Sequence, residues 1–142
     1  MAPDLKHQSD FDQLSIECPP STCQPDSLVA FRWVFEDMQD NRNFTPVFFL
    51  NPNRFLTKND DEKCRAMGLS MFTTSEYATT RFEFLLRVIG NAAYERFGTH
   101  VANCRLLELD GVNSKPDGNG HFTNYPVENH EYPLRFVVIK HL

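Results

Sequence analysis

Long apolar runs are missing from this sequence of 142 residues, and so are clusters of basic residues. No apolar run approaches the ~20 residues that a membrane-spanning helix requires, so we do not expect a membrane protein. The formal net charge is -5, and the Lys and Arg residues are scattered along the chain. Nucleic-acid binding depends on clustered positive charge, so we expect no nucleic-acid partner either.

The short motifs that mark many enzymes are also absent. The sequence has no Walker A loop, no Gly-x-Gly-x-x-Gly and no Gly-x-Ser-x-Gly. Its histidines do not occur with His-x-x-x-His or Glu-x-x-His spacing, so we expect no metal site. None of these common reaction classes is indicated by a local motif.

Cysteines are few, and the chain begins without a charged-then-apolar leader. We therefore expect a cytoplasmic protein with four free thiols. These cysteines are Cys18, Cys23, Cys64 and Cys104. Cys18 and Cys23 flank a Pro-Pro-Ser-Thr turn, which leaves a bridge or a metal ion between these two as the alternative.

The apolar content of 41%, with 13 Phe, is sufficient for one hydrophobic core. Residues 1–26 are polar and rich in Asp, Ser and Pro, and we interpret them as a loosely held arm. Phe11, Leu14 and Ile16 could dock this arm on the rest of the chain. Residues 27–142 are then expected to form a single domain.

Apolar patterning predicts strands over residues 28–35, 101–109, 121–125 and 134–139. The last of these is almost continuously apolar, which favours a central position in the sheet. Residues 46–50 form a further apolar run that is too short to assign.

Two helices are predicted between these strands. The shorter covers about residues 58–67, with Thr57 as its cap and Gly68 at its end. The longer covers about residues 75–97, where an apolar residue recurs every three or four positions and Gly98 follows. The stripe consists of Ala78, Phe82, Leu85, Ile89, Ala93 and Phe97. This order of elements predicts an α+β domain with a mostly antiparallel sheet packed on one long helix.

The candidate binding residues lie where a short strand ends and the long helix begins. Thr73, Thr74 and Ser75 place three hydroxyls beside the free N–H groups of a helix N-terminus, which suits an anionic ligand. An ordinary helix cap is the alternative. Arg32, in the middle of the first strand, is aimed at an anionic ligand, paired with a carboxylate or exposed on a wet face of the sheet.

His121 is a further candidate because it follows a glycine-rich loop and has an ordinary pKa near neutrality. It could act as an acid, a base or a ligand contact at the rim of a site. A surface histidine bonded to backbone is the alternative.

A strand arginine combined with a strand-end hydroxyl triplet resembles the ADP-ribosyltransferase-like folds and related NAD-consuming toxin domains. The run Ser-x-Phe-Thr-Thr-Ser over residues 70–75, followed by Ala78 and Phe82, is similar to the second motif of that family. The resemblance covers about residues 28–86. Phe72 stands where the family often has Tyr, and no Gln/Glu-x-Glu motif follows on a late strand.

The resemblance implies that the domain binds NAD or a related nucleotide and performs ADP-ribosyl transfer or NAD cleavage. It implies a nucleotide-binding role for the strand arginine and the hydroxyl triplet, and a catalytic role for Glu83 or a late-strand Glu. His121, chosen for its place after the glycine-rich loop, is a second catalytic candidate. The alternative, a non-enzymatic interaction or regulatory module, rests on the lack of a complete catalytic set. Such a module would form a homodimer or bind a protein partner through residues 1–26.

Overall fold

The computed structural model describes residues 4–142, and within them six strands form one antiparallel sheet. The strands are β1 (Leu28–Val34), β2 (Leu69–Phe72), β3 (His100–Leu106), β4 (Gly111–Asn113), β5 (His121–Pro126) and β6 (Val137–His141). The helices are α1 (Gln8–Phe11), α2 (Val47–Leu50), α3 (Asp60–Ala66), α4 (Ser75–Ile89), α5 (Ala92–Arg96) and α6 (Tyr132–Arg135). The predicted α+β class is confirmed, with one long helix, α4, packed on the sheet.

The sheet is split near its middle. The strand order is β4-β5-β2-β1-β3-β6, and β1 pairs with β3 along its whole length. Between β1 and β2, however, the register contains one pair, Phe31 with Phe72. We call β4, β5 and β2 the β4 half of the sheet, and β1, β3 and β6 the β6 half.

Each face of the sheet has its own hydrophobic layer. One layer lies over Ala30, Val34 and Met71, and is covered by Phe44 and Tyr132. The layer on the other face contains Phe72 and Ala78, with Phe31 and Trp33 partly buried against them. No helix in residues 4–142 has the length and apolar character needed to cross a membrane.

The helix α4 begins where the sequence predicts and ends earlier. The side chain of Thr74 accepts a hydrogen bond from the backbone N–H of Tyr77 at 3.0 Å, as an N-cap does. The prediction of one helix over 75–97 is wrong at its C-terminal end, because Gly90 adopts φ 66° and α5 follows as a separate helix. Within α4 the buried positions of the apolar stripe are Ala78 and Phe82.

Two further predictions need correction. The run 134–139 is divided between α6 and β6, and β6 is an edge strand, not a central one, with Val137 61% exposed. Continuous apolar sequence therefore reflects a helical turn joined to an edge strand. The unassigned run 46–50 contains the helix α2. The cap of α3 is Asn59, which accepts from the N–H of Glu62 at 2.9 Å, in place of Thr57.

Residues 4–26 lie against the β4 half. Phe11 is 2% exposed, and its ring packs edge-on to Tyr125 with centroids 5.6 Å apart. Leu14 and Ile16 are partly buried in the same cluster. Gln24 exchanges backbone hydrogen bonds with Asn113 on β4, so this segment covers the edge of the sheet.

The prediction of four free thiols is wrong for two of them. Cys18 and Cys64 form a disulfide, whereas Cys23 and Cys104 are free. The bond joins α3 to the N-terminal segment across 46 positions of sequence, a distance at which no local spacing signals a pairing. Ser15 adds two hydrogen bonds to the Asp60 carboxylate in the first turn of α3.

Candidate functional site

A groove of about 450 Å³ lies at the split between β1 and β2. This volume falls in the range of small-molecule sites, ~300–1,000 Å³. Five arginines line it together with aromatic and hydroxyl side chains, and we call it the arginine groove. Its principal lining residues are Arg32, Trp33, Phe35, Arg42, Arg54, Phe55, Glu62, Arg65, Ser70, Arg96, Phe97, His121 and Thr123.

Arg32 bridges the split from the β6 half to the β4 half. If the hydrogen bonds between β1 and β2 continued beyond the pair Phe31–Phe72, the next carbonyl oxygens of β2 would accept from backbone N–H groups of β1. Instead the guanidinium of Arg32 donates through Nη1 to the carbonyl oxygen of Ser70 at 2.6 Å. Its Nε donates to the carbonyl oxygen of Asn43 at 2.8 Å.

The charge of Arg32 is not neutralised by any carboxylate of residues 4–142. Burial lowers the pKa of Arg32 to about 10, so the guanidinium is still protonated at neutral pH. A half-buried cation whose partners are neutral carbonyl oxygens is favourable to an incoming anion. This side chain is therefore the strongest electrostatic feature of the groove.

Asn43 fixes the position of the segment that holds Arg32. Its side chain is 1% exposed and accepts from the N–H of Phe35 at 2.6 Å. Its amide donates to the carbonyl oxygens of Phe35 and Asp37 at 3.1 and 2.9 Å. A fully used buried amide of this kind holds the turn Asn41–Phe44 against the end of β1.

Ser70 and His121 form a side-chain pair inside the groove. The Ser70 hydroxyl and Nε2 of His121 are hydrogen-bonded across β2 and β5. Burial lowers the pKa of His121, with Asp117 opposing this effect, so the ring is neutral at pH 7. A neutral imidazole beside an exposed hydroxyl can accept or donate one proton at the groove wall.

His121 is held in place at the start of β5. Its backbone N–H donates to Oδ1 of Asp117 at 3.0 Å, and its ring lies edge-on to Phe72. Gly120 before it has φ 69°, and a Cβ at that position would overlap the ring of Tyr77. Glycine is therefore required where this loop passes the first turn of α4.

The other four arginines come from separate segments of the chain. Arg42 is bound to Asp40 at 2.6 Å and stacks 3.7 Å above the ring of Phe35. The remaining three, Arg54, Arg65 and Arg96, are exposed and form no ion pair within the described part of the chain. The groove is thus strongly positive in a protein whose net charge is -5.

The predicted hydroxyl triplet lies outside the arginine groove. Thr74 caps α4 and lines a second concavity of about 540 Å³ on the outer face of that helix, beside Tyr77 and Phe84. Thr73 donates its backbone N–H to the carbonyl oxygen of Gly120 at 2.9 Å. Thr73 and Ser75 line neither concavity. We call this second depression the helix concavity.

The predicted catalytic carboxylate is also separate from the groove. Glu83 is exposed on α4 and lines neither concavity. Glu62 of α3 is the carboxylate among the groove-lining residues, and one of its oxygens lies 3.9 Å from Nζ of Lys58. The structure thus brings together Arg32 and His121 of the predicted set, and it does not bring the hydroxyl triplet or Glu83 to them.

Sequence reasoning missed most of the arginine groove. Arg42, Arg54, Arg65 and Arg96 are scattered in sequence, so a search for a basic cluster does not find them. The signal that was available is the isolated arginine between two aromatic residues on β1.

No protein-family model matches this chain, and neither a curated protein nor a solved structure matches it. Within residues 4–142, no three side chains of His, Cys, Asp or Glu come close enough together to hold a metal ion. The geometry of the groove is therefore the basis for inferring a function.

Proposed function

We propose that the protein binds NAD or a related phosphate-bearing nucleotide in the arginine groove. The observation that carries this proposal is the half-buried, protonated Arg32, whose hydrogen-bond partners are carbonyl oxygens. A pyrophosphate supplies the missing negative charge, and guanidinium groups bind phosphate oxygens in bidentate geometry.

The walls of the groove suit the rest of such a ligand. Trp33, Phe35 and Phe97 contribute aromatic side chains to the lining, and Ser70 and Thr123 contribute hydroxyl side chains. Aromatic surface favours stacking of a nucleobase or nicotinamide ring. Hydroxyl groups supply hydrogen bonds for ribose. This combination agrees with the role that the resemblance to ADP-ribosyltransferase-like folds implies for Arg32.

Nucleotide binding is the primary proposal, and ADP-ribosyl transfer or NAD cleavage is a secondary one. Breaking the bond to nicotinamide develops positive charge on the ribose, which a carboxylate would stabilise. Glu83 does not line the groove, so within this proposal Glu62 takes the role expected of Glu83. Nicotinamide release from NAD measures this activity, and its loss in Glu62→Gln but not in Glu83→Gln would support the reassignment.

Calorimetric titration with NAD tests the binding proposal. We expect Arg32→Gln to weaken NAD binding at least tenfold, or about 1.4 kcal/mol, because a charged hydrogen bond to phosphate is lost. Arg87→Gln is the matched control, since Arg87 is exposed and lines the helix concavity. Chemical denaturation of each variant separates lost binding from lost folding. Absence of binding at millimolar NAD would reject the proposal.

His121 gives a second test of the same site. We expect His121→Ala to weaken NAD binding about tenfold, because the groove loses the imidazole and Ser70 loses the partner that orients its hydroxyl. His141→Ala is the control, since His141 is exposed on β6. Equal NAD affinity in His121→Ala and the unmodified protein would place His121 outside the ligand site.

A second candidate function is the self-associating interaction module. Because Phe11 is buried and Leu14 and Ile16 are packed in the same cluster, the edge strand β6 favours it in place of residues 1–26. Val137 and Ile139 on this strand are 61% and 44% exposed, and an uncovered edge offers backbone groups for pairing. Light scattering tests this candidate directly. A dimer that Ile139→Lys dissociates would support it, and a monomeric mass at high concentration would reject it.

A further inference from the structure

The arginine groove carries more positive charge than the pyrophosphate of NAD requires. Arg42 is neutralised by Asp40, and Glu62 adds one negative charge to the lining. Four guanidinium groups are then left without a carboxylate partner among residues 4–142, those of Arg32, Arg54, Arg65 and Arg96. The pyrophosphate of NAD has about one negative charge per phosphate, as in other phosphodiesters. Its positive nicotinamide ring cancels part of that charge.

We infer that the preferred ligand carries a phosphomonoester in addition to its pyrophosphate, as the 2′-phosphorylated dinucleotide NADP does. This inference rests on the proposed function and specifies the ligand of the same groove. A phosphomonoester adds about 1.5 to 2 negative charges at neutral pH, which brings the net charge of the ligand close to the net positive charge that the free guanidinium groups and Glu62 leave in the groove.

Arg54 and Arg65 are the residues that the fold assigns to this added phosphate. Both line the groove, and they come from elements that follow each other in the chain, the turn Pro52–Phe55 and the helix α3. The ring of Phe55, 7% exposed, lies 5.4 Å below the guanidinium of Arg54. The disulfide between Cys18 and Cys64 anchors α3 at the residue before Arg65, so the backbone there is held in place.

Arg32 has a different role in this assignment. It lies in the split itself, bonded to carbonyl oxygens on both sides, and holds the pyrophosphate that NAD and NADP share. Loss of Arg32 should therefore weaken both ligands. Loss of Arg54 or Arg65 should weaken binding of the ligand that bears the third phosphate more than binding of NAD.

Titration calorimetry with NAD and NADP tests this inference, because these ligands differ by one phosphomonoester. We expect NADP to bind at least tenfold more tightly than NAD at 50 mM salt, with the difference shrinking as salt is raised. Arg54→Gln and Arg65→Gln should each weaken NADP binding more than NAD binding and so remove most of the NADP preference. Arg87→Gln, outside the groove, should leave both affinities unchanged.

The outcomes separate the two proposals. Binding of NAD and NADP with equal affinity overturns the inference and leaves the nucleotide-binding function standing. Tighter NADP binding that neither Arg54→Gln nor Arg65→Gln reduces overturns the residue assignment. Absence of binding by both ligands at millimolar concentration overturns the inference together with the proposed function.

Discussion

The outer edges of the two halves of the split sheet differ: the edge of the β4 half is covered, and the edge of the β6 half is exposed. The edge of the β4 half is covered by the N-terminal segment, in which Gln24 pairs with Asn113 and a disulfide ties Cys18 to α3. The β6 half ends on an edge strand, with Val137 and Ile139 exposed. The halves share one backbone pair, so side chains and α4 hold them together. The β4 half is therefore tied down independently of the split, whereas the shape of the groove depends on a few side-chain contacts across it.

The largest effect is expected from removing the aromatic side chain that joins the halves. The ring centroid of Trp33 on β1 lies 5.1 Å from that of Phe72 on β2 and 5.4 Å from that of Phe82 on α4. Nε1 of Trp33 also donates a hydrogen bond to the carbonyl oxygen of Ala78. Trp33→Ala should lower the free energy of unfolding by about 3–5 kcal/mol, because a cavity forms where the halves meet. Chemical denaturation measures this loss.

The control for that experiment is Phe84→Ala on the outer face of α4. Phe84 is 43% exposed, so its removal should change the free energy of unfolding by less than about 1 kcal/mol. Equal losses in the two variants would mean that the joint between the halves does not depend on Trp33.

A smaller loss in the free energy of unfolding is expected when the disulfide beside the β4 half is removed. Cys18→Ser breaks the disulfide that holds α3, and loss of a native disulfide typically costs about 2–4 kcal/mol. Cys104→Ser is the control, because Cys104 is free and lies on β3 in the other half. A reductant should lower the unfolding midpoint of the unmodified protein to that of Cys18→Ser. A midpoint insensitive to reductant would contradict a stabilising bond.

The ion pair between Arg135 and Asp110 connects the halves at the end of the sheet. Two nitrogens of Arg135, just before β6, donate to the carboxylate of Asp110, just before β4, at 2.6 and 2.9 Å. Burial alone would raise the pKa of Asp110, but the hydrogen bonds from Arg135 and Leu107 outweigh it and lower this pKa. Asp110→Asn should cost about 1.5–3 kcal/mol at pH 7, because a charge-assisted bond is lost.

The depressed pKa of Asp110 fixes the sign of the pH dependence. The stabilisation is complete above the ordinary carboxyl pKa of about 3.9 and is lost as pH falls through the lower folded value. Denaturation at pH 7 and at pH 3 should therefore show a smaller difference between Asp110→Asn and the unmodified protein at the lower pH. Asp26→Asn, at an exposed position, is the control. A difference that grows on acidification would contradict the argument.

The parts of the fold that the sequence predicts are the local ones. The start of α4 follows from the hydroxyl of Thr74 and its neighbours, and strand and helix types follow from apolar period. The split in the sheet cannot be predicted from local sequence patterns, because it depends on where β1 and β2 stop pairing. The disulfide and the grouping of five arginines are likewise contacts between distant segments, and only Arg32 lies in a local context that marks it.

The smallest effect concerns Thr74, at the joint between β2 and α4, and it tests the division between groove and helix concavity. Thr74→Ala should lower the free energy of unfolding by about 1 kcal/mol, because the N–H of Tyr77 loses its cap. Thr80→Ala is the control, since Thr80 is exposed on the same helix. NAD affinity should stay within twofold in both variants, because Thr74 does not line the arginine groove. A tenfold loss of NAD binding in folded Thr74→Ala would contradict this division. It would show that the hydroxyl triplet contacts the ligand, as the resemblance to ADP-ribosyltransferase-like folds implies. The two concavities would then act as one site.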